Sequence, residues 1–401
     1  MDQPSAHRLR FAALAAALLF RPLASAHGPA SGADPDEHRL IEFPDTAEHL
    51  TLVVDLHTHT VFSDGHVWPT IRVGEALRDG LDAMAVTEHL EYQPHLEDIP
   101  HPDRNRSFEE AVASLPEGSE LIIVPGSEIT RGTPIGHMNA VFISDANALL
   151  RVGPPAEPFD VRDYFARAGE WPAQDAVDEA NRQGAFVFWN HSWSVFDDAK
   201  SVLTDFHRQN VERGKLHGIE IANGRTYSAE SFQIALDHDL AVIGVSDVHN
   251  LIDWDYEPHA GGHRPVNLVF AKEKSAASIR QALFERRTVV WYRNLLLGRA
   301  RELEPLLTAC VEVVSASYRP HSRVLELTLR NVSDASLELR STSGFTLVRS
   351  TDLVELPAHE ETTLYLRTGE VLERVKLDFE VLNALTAPGA HATLAIETAI
   401  D

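Results

Sequence analysis

Histidines and carboxylates that could bind metal are concentrated in the first two-thirds of this 401-residue chain, where they follow short apolar runs. Eighteen of the 21 histidines precede residue 270. The candidate metal ligands are His57, His59, Asp64, His89, Glu128, His137, His191, Asp247 and His249. Imidazole and carboxylate groups together suit a divalent transition metal such as Zn, Mn or Fe. The sequence therefore predicts a metal centre built from these side chains.

The spacing of these residues places several of them on one side of an extended segment. Side chains alternate between the two faces of a strand, so His57 and His59 point the same way, as do Asp247 and His249. A catalytic metal site usually has about three protein ligands plus solvent. Nine ligands are too many for one ion, so the set predicts two or three ions that share a bridging carboxylate.

Adjacent divalent ions are suited to phosphoester hydrolysis. Ions about 3.5–4 Å apart lower the pKa of a bridging water to near neutrality, and the resulting hydroxide can attack phosphorus in line. Protonation of the leaving alkoxide needs an acid, for which His66 and His249 are the candidates. A leaving group bound to a third ion would need none.

Two arginines are candidates for holding a phosphate. Arg131 lies just past Glu128, and Arg225 lies just past Asn223, in loops that follow predicted strands. A guanidinium group can bind a phosphate through two parallel hydrogen bonds. A solvated loop arginine is the alternative interpretation for both.

The elements that must position these residues alternate between short apolar runs and helical patterns. The apolar runs are Leu50–Asp55, Ala83–Val86, Leu121–Val124, Ala185–Trp189, Gly218–Ile221 and Ala241–Val245. This alternation predicts parallel strands with crossover helices, in an α/β barrel or a doubly wound sheet. Polar residues follow the runs, as at the functional face of a barrel. We expect this domain to span residues 50–303, after a leading segment of residues 27–49.

The sequence pattern changes after the α/β part. Residues 304–401 contain short runs rich in Val, Leu and Thr, several of which alternate apolar with polar positions. Turn residues separate these runs. This pattern predicts a small all-β domain of the sandwich type.

The N-terminus has the features of an export signal. Arg8 and Arg10 precede the apolar segment Phe11–Phe20, and Ala24-Ser25-Ala26 offers a cleavage site. Ten apolar residues are too few to span about 30 Å of hydrocarbon. We expect cleavage after Ala26, which would release a periplasmic or secreted protein without a membrane anchor.

Composition limits the partners of the chain. Its formal net charge is −25, and removal of residues 1–26 changes this to −27 because one acid and three bases are lost. Such acidity disfavours nucleic acids and anionic membranes as partners. The single cysteine, Cys310, excludes an intrachain disulfide and any multi-cysteine metal site.

The ordered motifs of the α/β part are similar to those of a known superfamily. The series D-x-H-x-H-T with S-D-G, then T-E-H, G-x-E, G-H, N-H and S-D-x-H, resembles the polymerase and histidinol phosphatase (PHP) superfamily over Val53 to Tyr292. The resemblance implies a distorted (β/α)7 barrel that hydrolyses phosphoesters with two or three divalent ions. The stretches I-E-F-P-D-T, S-D-G-H-V-W-P, H-L-E-Y-Q-P-H and I-P-H-P-D-R-N-R are similar to the secreted bacterial Sb-PDE family. That family pairs the barrel with a small β domain and acts on organophosphate diesters.

The PHP resemblance also implies how the ligands are shared. His57, His59, Glu128 and Asp247 would hold the first ion, Glu128 would bridge to a second ion at His137 and His191, and Asp64, His89 and His249 would hold the third. Glu88 stands where many members have Asp, which is expected to alter the support of the third ion. We expect the catalytic residues to be Glu128, Asp247, His249 and His66, with Arg225, Arg131 and His66 contacting substrate.

The expected function is metal-dependent hydrolysis of small organophosphate diesters. The alternatives are a phosphomonoesterase of the histidinol-phosphatase type, a PHP nuclease and a non-catalytic metal-binding protein. Export disfavours a biosynthetic monoesterase, and the charge of −27 disfavours a nuclease. An inert barrel would be expected to have lost ligands, whereas all nine positions are filled. A homodimer is compatible with the sequence.

Overall fold

The computed structural model describes residues 39–195 and 199–401, which belong to one compact unit. The expected export signal, residues 1–26, lies outside the described residues. Among those that are described, no helix is long and apolar enough to cross a bilayer.

The N-terminal part of the described chain alternates strands and helices. Its strands are β1 (Leu50–Asp55), β2 (Ala83–Val86), β3 (Ile122–Thr130), β4 (His137–Val141), β5 (Phe186–Trp189), β6 (Gly218–Asn223), β7 (Thr226–Tyr227), β8 (Ala241–Val245), β9 (Val266–Ala271), β10 (Thr288–Tyr292) and β11 (Leu295–Gly298). Its helices are α1 (Pro69–Arg78), α2 (Arg106–Ala113), α3 (Val161–Gly169), α4 (Ala173–Arg182), α5 (Asp205–Glu212), α6 (Ala229–Asp237), α7 (Ile252–Tyr256), α8 (Ala276–Phe284) and α9 (Ala300–Ala309). The 3₁₀ helices are Ala146–Leu149, Ser192–Val195 and Pro258–Ala260.

The barrel sheet is mixed in direction. The pairs β1–β2, β2–β3, β5–β6 and β6–β8 are parallel, whereas β4 is antiparallel to both β3 and β5. The α/β barrel class is confirmed, but the prediction of parallel strands is wrong for β4 and for β9, which is antiparallel to β1. Because β4 runs in the opposite direction, its first residue, His137, lies at the same edge of the sheet as the carboxyl ends of the parallel strands.

Apolar side chains from opposite strands fill the barrel. Val54 of β1, Phe186 and Phe188 of β5, and Ile243 of β8 belong to one fully buried cluster. All four residues of β5 are buried, as expected for a strand covered on both faces. The helices that follow the strands, such as α8, pack their apolar faces against the outside of this sheet.

The barrel is closed between β8 and the strands β9 and β10 by side chains rather than by a strand ladder. The Asn267 amide accepts from the Gly244 N–H at 3.0 Å and donates to the Gly244 carbonyl at 2.8 Å. The Thr288 hydroxyl donates to the Val242 carbonyl at 2.9 Å. One buried amide thus satisfies both backbone groups of Gly244, which have no strand partner on that side.

At the mouth, the barrel is closed by the segments that carry the predicted ligands. The Asp247 N–H donates to the His57 carbonyl at 2.9 Å, and the His59 N–H donates to the Val248 carbonyl at 3.1 Å. The buried Arg72 guanidinium donates to the carbonyls of both His59 and Val248, at 2.9 and 3.1 Å. The first and last ligand segments are therefore held together by backbone bonds.

The C-terminal part is an all-β domain, as predicted. Its strands are β12 (Val311–Tyr318), β13 (Val324–Asn331), β14 (Leu337–Ser341), β15 (Thr346–Leu347), β16 (Leu353–Leu356), β17 (Glu361–Arg367), β18 (Arg374–Ala387) and β19 (Ala390–Ala399). One sheet has the order β12–β13–β17–β15, and the other contains β16, β14, β18 and β19. The second sheet continues into the barrel sheet, because β18 pairs in parallel with β11.

We predict that the barrel closure at Asn267 is a major source of stability. Asn267→Leu keeps the side-chain volume but leaves two buried backbone groups unpaired, which should lower the free energy of unfolding by about 2–4 kcal/mol. Thr288→Val removes one bond and should cost about 1 kcal/mol. Urea unfolding in EDTA measures both. Equal losses in the two variants would contradict this account of the closure.

Candidate metal centre

The nine predicted ligands lie together at the mouth of the barrel. His57 and His59 follow β1, Asp64 follows in the next turn, His89 follows β2, Glu128 lies within β3, His137 opens β4, His191 follows β5, and Asp247 and His249 follow β8. Three overlapping groups have ligand atoms close enough to hold an ion: His57, His59 and Glu128; His89, Glu128 and His137; and His59, Asp64, His89 and His249.

Asp247 lies beside the group formed by His57, His59 and Glu128. The two histidine Nε2 atoms are 2.9 Å apart, and they lie 3.2 and 3.1 Å from Asp247 Oδ1. Their distances to Glu128 Oε2 are 3.6 and 3.4 Å. Ligand atoms around a tetrahedral ion with bonds of about 2.0–2.1 Å are separated by about 3.3 Å. The distances of the two imidazole nitrogens from each other and from both carboxylates are therefore close to the spacing expected in a first ligand sphere.

Two buried oxygens show that the residues fit a cation. Glu128 Oε2 and Asp64 Oδ1 are buried and lack a hydrogen bond of good geometry from the described residues, and the nitrogens near them are those of other predicted ligands, His89 Nδ1 at 2.8 Å and His249 Nε2 at 3.1 Å. A buried carboxylate oxygen without a donor is costly unless a cation is bound to it. Both oxygens belong to the ligand groups, so the donor set is suited to metal.

Glu128 is placed to bridge two parts of the centre. Its Oε2 faces the first group, while its Oε1 lies 2.8 Å from His137 Nδ1 and 3.6 Å from His191 Nε2. His191 Nε2 also lies 3.8 Å from Asp247 Oδ2. The two oxygens of Glu128 can thus contact different ions.

A further group surrounds Asp64. Its Oδ1 lies 3.1 Å from His249 Nε2 and 3.4 Å from His89 Nε2. His59 and His249 also stack, with ring centroids 4.3 Å apart. The residues that the PHP resemblance implied for a third ion are therefore adjacent to the first group.

The electrostatics keep the carboxylates ionised. Burial would raise the pKa of Glu128, but the imidazoles of His89, His137 and His57 outweigh it and hold the pKa well below its ordinary value. Burial also opposes ionisation of Asp247, whose pKa is lowered by the neighbouring histidines. Burial and the nearby His249 lower the pKa of His59 to about 3, so its imidazole is neutral and able to bind metal.

Two buried residues that sequence reasoning missed orient these ligands. Glu220 Oε1 lies 2.8 Å from His57 Nδ1, and its Oε2 accepts from the His191 N–H at 2.6 Å. Asn190 donates to Glu128 Oε1 at 3.0 Å. Glu220 had a detectable signal in the sequence, because it is a charged residue inside the apolar run Gly218–Ile221.

Glu88, the acidic residue of the T-E-H motif, supports the loop that carries His59. Glu88 accepts from the Thr60 hydroxyl and the Ser63 hydroxyl, both at 2.5 Å, and from the Thr60 N–H at 3.1 Å. Gly65 lies under the same loop, where a Cβ would come within 2.7 Å of the His59 backbone. The longer acid therefore braces the turn between His59 and Asp64.

Two ligands have strained backbones. Asp247 has a φ of 50° and His191 a φ of 22°, a region that costs non-glycine residues about 1–3 kcal/mol. The Asp247 N–H bond to His57 and the His191 N–H bond to Glu220 hold these conformations. The strain turns both side chains toward the shared centre.

The residues predicted to contact substrate lie in different environments. His66 is exposed, and its Nδ1 contacts Asn250 Oδ1 at 2.7 Å beside the His249 segment. Arg131 is buried and pairs with Glu91 while donating to the Trp171 carbonyl at 2.8 Å. Arg131 therefore fits neither prediction, phosphate binding or exposure to solvent, because its guanidinium group forms these bonds in the protein interior.

Arg225 does not contact the ligand cluster either. It is exposed and donates to the Asp255 carbonyl at 2.7 Å. His101 lies in the loop after His89. It is buried, and its Nε2 contacts the Gln93 amide oxygen.

Comparison with solved structures places the chain in a family. A two-domain protein from Bacteroides vulgatus, containing a predicted PHP-like metal-dependent phosphoesterase, is 38% identical, with a TM-score of 0.79. The match covers 90% of this chain and 98% of that one. The chain therefore belongs to the family of two-domain PHP-like metal-dependent phosphoesterases, and the predicted PHP membership is confirmed.

More distant structures also match. A candidate metal-dependent phosphoesterase from Bifidobacterium adolescentis is 19% identical, with a TM-score of 0.36, and the match covers 51% of this chain and 90% of that one. An amidohydrolase from Chromobacterium violaceum is 18% identical, with a TM-score of 0.34 and coverage of 49% and 87%. A family model described as an Ig-like domain matches residues 311–397. A search of curated proteins finds no match.

We predict that Glu220 sets metal affinity without being a ligand. Glu220→Gln replaces one acceptor with a donor and so loses a bond to His57, His191 or Asn223, which should weaken metal binding by about 10–100-fold. Competition with a chelator on the full chain measures this. Glu212→Gln, at an exposed position on α5, is the matched control. Unchanged affinity in Glu220→Gln would rule out the orienting role.

Proposed function

We propose that this protein is an exported, divalent-metal-dependent phosphodiesterase that acts on small organophosphate diesters. Its class as a hydrolase of phosphoester bonds follows from the family, and the finer assignment to diesters rests on two supports. The first is the similarity of its loop motifs to Sb-PDE phosphodiesterases. The second is the charge around the ligand cluster.

The observation that carries the diester assignment is that neither expected arginine contacts the cluster. Arg131 is paired with Glu91, and Arg225 donates to a backbone carbonyl. A phosphate monoester carries about −1.5 to −2 at neutral pH, whereas a diester carries one charge. A ligand cluster that neither arginine contacts is better matched to the singly charged phosphoryl group of a diester.

The side chains supply binding, orientation and a proton. When bound, divalent ions acidify a water and neutralise charge on the phosphoryl oxygens. Glu128 and Asp247 are held ionised to bind them, and Glu220 and Asn190 fix the orientation of the ligands. These bonds preorganise the site before substrate arrives.

His66 is suited to protonate the leaving group. Its Nδ1–H donates to Asn250 Oδ1, and Asn250 in turn donates to Asp255 at 3.4 Å. Because this bond uses Nδ1, Nε2 is the ring nitrogen left to carry a proton to an alkoxide oxygen. His249 is less available, because its Nε2 faces Asp64 within the ligand cluster.

The alternatives are disfavoured by specific properties. A nuclease would have to attract a polyanion to a chain of net charge −25. A non-catalytic binding protein would not need all nine ligand positions, each of which is filled and placed at the mouth.

The substrate assignment predicts a specific order of rates. With Mn or Zn, the full chain should hydrolyse bis(p-nitrophenyl) phosphate with a higher kcat/KM than p-nitrophenyl phosphate. Glu128→Gln should lose most activity on both, because the bridging carboxylate is removed. A higher kcat/KM on the monoester would overturn the diester assignment while leaving the phosphoesterase class intact.

The role of His66 predicts a dependence on the leaving group. His66→Gln should lower kcat by about 100-fold for a diester with an alkyl leaving group, which needs a proton. The loss should be smaller than about threefold for p-nitrophenolate, which departs unprotonated. Steady-state kinetics on both substrates test this, and an equal loss on both would exclude His66 as the acid.

Export predicts a defined mature N-terminus. N-terminal sequencing of the chain expressed in a Gram-negative host should give His27 as the first residue in the periplasmic fraction. An intact N-terminus in the cytoplasmic fraction would contradict export.

A further inference from the structure

A cavity of about 650 Å³ lies between the barrel mouth and the C-terminal domain. Gly224 and Arg225, which follow β6, and Arg293, in the β10–β11 turn, form part of its wall. Asp334 and Ser336 of the C-terminal domain form another part. Its link to the predicted ligands is Asn223, which precedes Gly224 in the chain and whose amide donates to Asp247 Oδ2 at 3.1 Å.

Two guanidinium groups line this cavity side by side. Arg225 donates to the Asp255 carbonyl at 2.7 Å, and Arg293 donates to the Arg225 carbonyl at 3.4 Å. Within residues 39–195 and 199–401, neither forms an ion pair with a carboxylate. Both are exposed, so most of their N–H groups remain free to bind a ligand.

The wall also carries three carboxylates, but none of them forms an ion pair with Arg225 or Arg293 among the described residues. The Asp334 carboxylate is occupied, since it contacts His359 Nε2 at 2.6 Å and accepts from the Glu42 N–H at 2.7 Å. The Asp255 carboxylate accepts from Asn250 at 3.4 Å, and Glu257 is exposed at the rim.

A third donor lies in the same wall. Trp291 is only 5% exposed, and its indole N–H has no hydrogen-bond partner among the described residues. Its ring stacks on His263, with centroids 3.4 Å apart and planes 6° from parallel. An indole N–H can only donate, so a ligand here should supply an acceptor atom.

We propose that this cavity binds an oxyanion, a carboxylate or a phosphate, carried by a small organic molecule. Arg225 and Arg293 bind the anion, and the Trp291 indole donates to an acceptor atom of the same ligand. Given the proposed phosphodiesterase function, the cavity selects diesters whose second substituent carries such a group. Arg225 thus recognises substrate at a distance from the reacting phosphorus.

The two cavity arginines contrast with the negative net charge of the protein. A chain with 60 acids and 35 bases repels anions in general. Two adjacent unpaired arginines create a local site where an oxyanion can form charge-assisted hydrogen bonds. Such a site would admit an acidic substituent that the remaining surface disfavours.

The selectivity of the metal-loaded full chain tests this proposal. Two substrates are compared: p-nitrophenyl phenyl phosphate and its analogue with a carboxylate on the phenyl ring. The ratio of kcat/KM for the charged over the neutral substrate should fall by about tenfold or more in the double variant Arg225→Gln, Arg293→Gln. Arg162→Gln, an exposed arginine that does not line the cavity, should keep the wild-type ratio.

A binding measurement distinguishes the source of the anion and is independent of catalysis. Calorimetry with inorganic phosphate should show a binding event that survives in Glu128→Gln and is lost in the double arginine variant. Trp291→Phe should weaken the binding of the carboxylated probe benzoate. If the double variant loses selectivity for the charged substrate, the anion that the cavity binds is part of the substrate. If it loses phosphate binding but keeps the selectivity ratio, the cavity binds a free oxyanion instead.

The proposal is overturned if the double variant changes neither the selectivity ratio nor phosphate binding. If the chain hydrolyses no phosphoester, the phosphodiesterase function fails, but the calorimetry still decides whether the cavity binds an oxyanion. Circular dichroism of the double variant shows whether the fold is retained.

Discussion

The backbone pairing between the segments after β1 and β8 is the interaction on which the site depends. The N–H groups of Asp247 and His59 donate to the carbonyls of His57 and Val248, and Arg72 donates to two carbonyls of the same segments. These bonds close the barrel mouth with the residues that are predicted to bind metal. Folding of the mouth therefore brings the first and last ligands together, although they are far apart in the chain. The strained φ of Asp247 is retained because this pairing holds it.

Much of the site was predictable because its ligands follow the strands in a fixed order. The type and spacing of His57, His59 and Asp247 identify an edge where imidazole and carboxylate must meet. The direction of β4 was not predictable, since it depends on pairing with β3 and β5 rather than on its own residues. The partner of Arg131 was also hidden, because Glu91 is distant in sequence and meets it only in the folded barrel.

The C-terminal domain is joined to the barrel by strand pairing. The parallel pairing of β18 with β11 extends one sheet from the barrel into the Ig-like domain, and Asn383 donates to the Asn294 carbonyl at 2.7 Å. The β10–β11 turn is fixed by this junction and contributes Arg293 to the cavity. A domain attached in this way contributes part of the cavity wall. The sequence indicated a separate β domain but gave no sign of the shared sheet, because strand pairing across domains leaves no local pattern.

The central claim is that the barrel mouth is a centre for more than one ion, with Glu128 as the bridge. Anomalous diffraction at the Mn edge from crystals grown with Mn tests it most directly. The account predicts at least two anomalous peaks, one in contact with His57, His59 and Asp247 and one in contact with His137 and His191, with Glu128 bound to both. A single peak, or peaks that Glu128 does not contact, would contradict it.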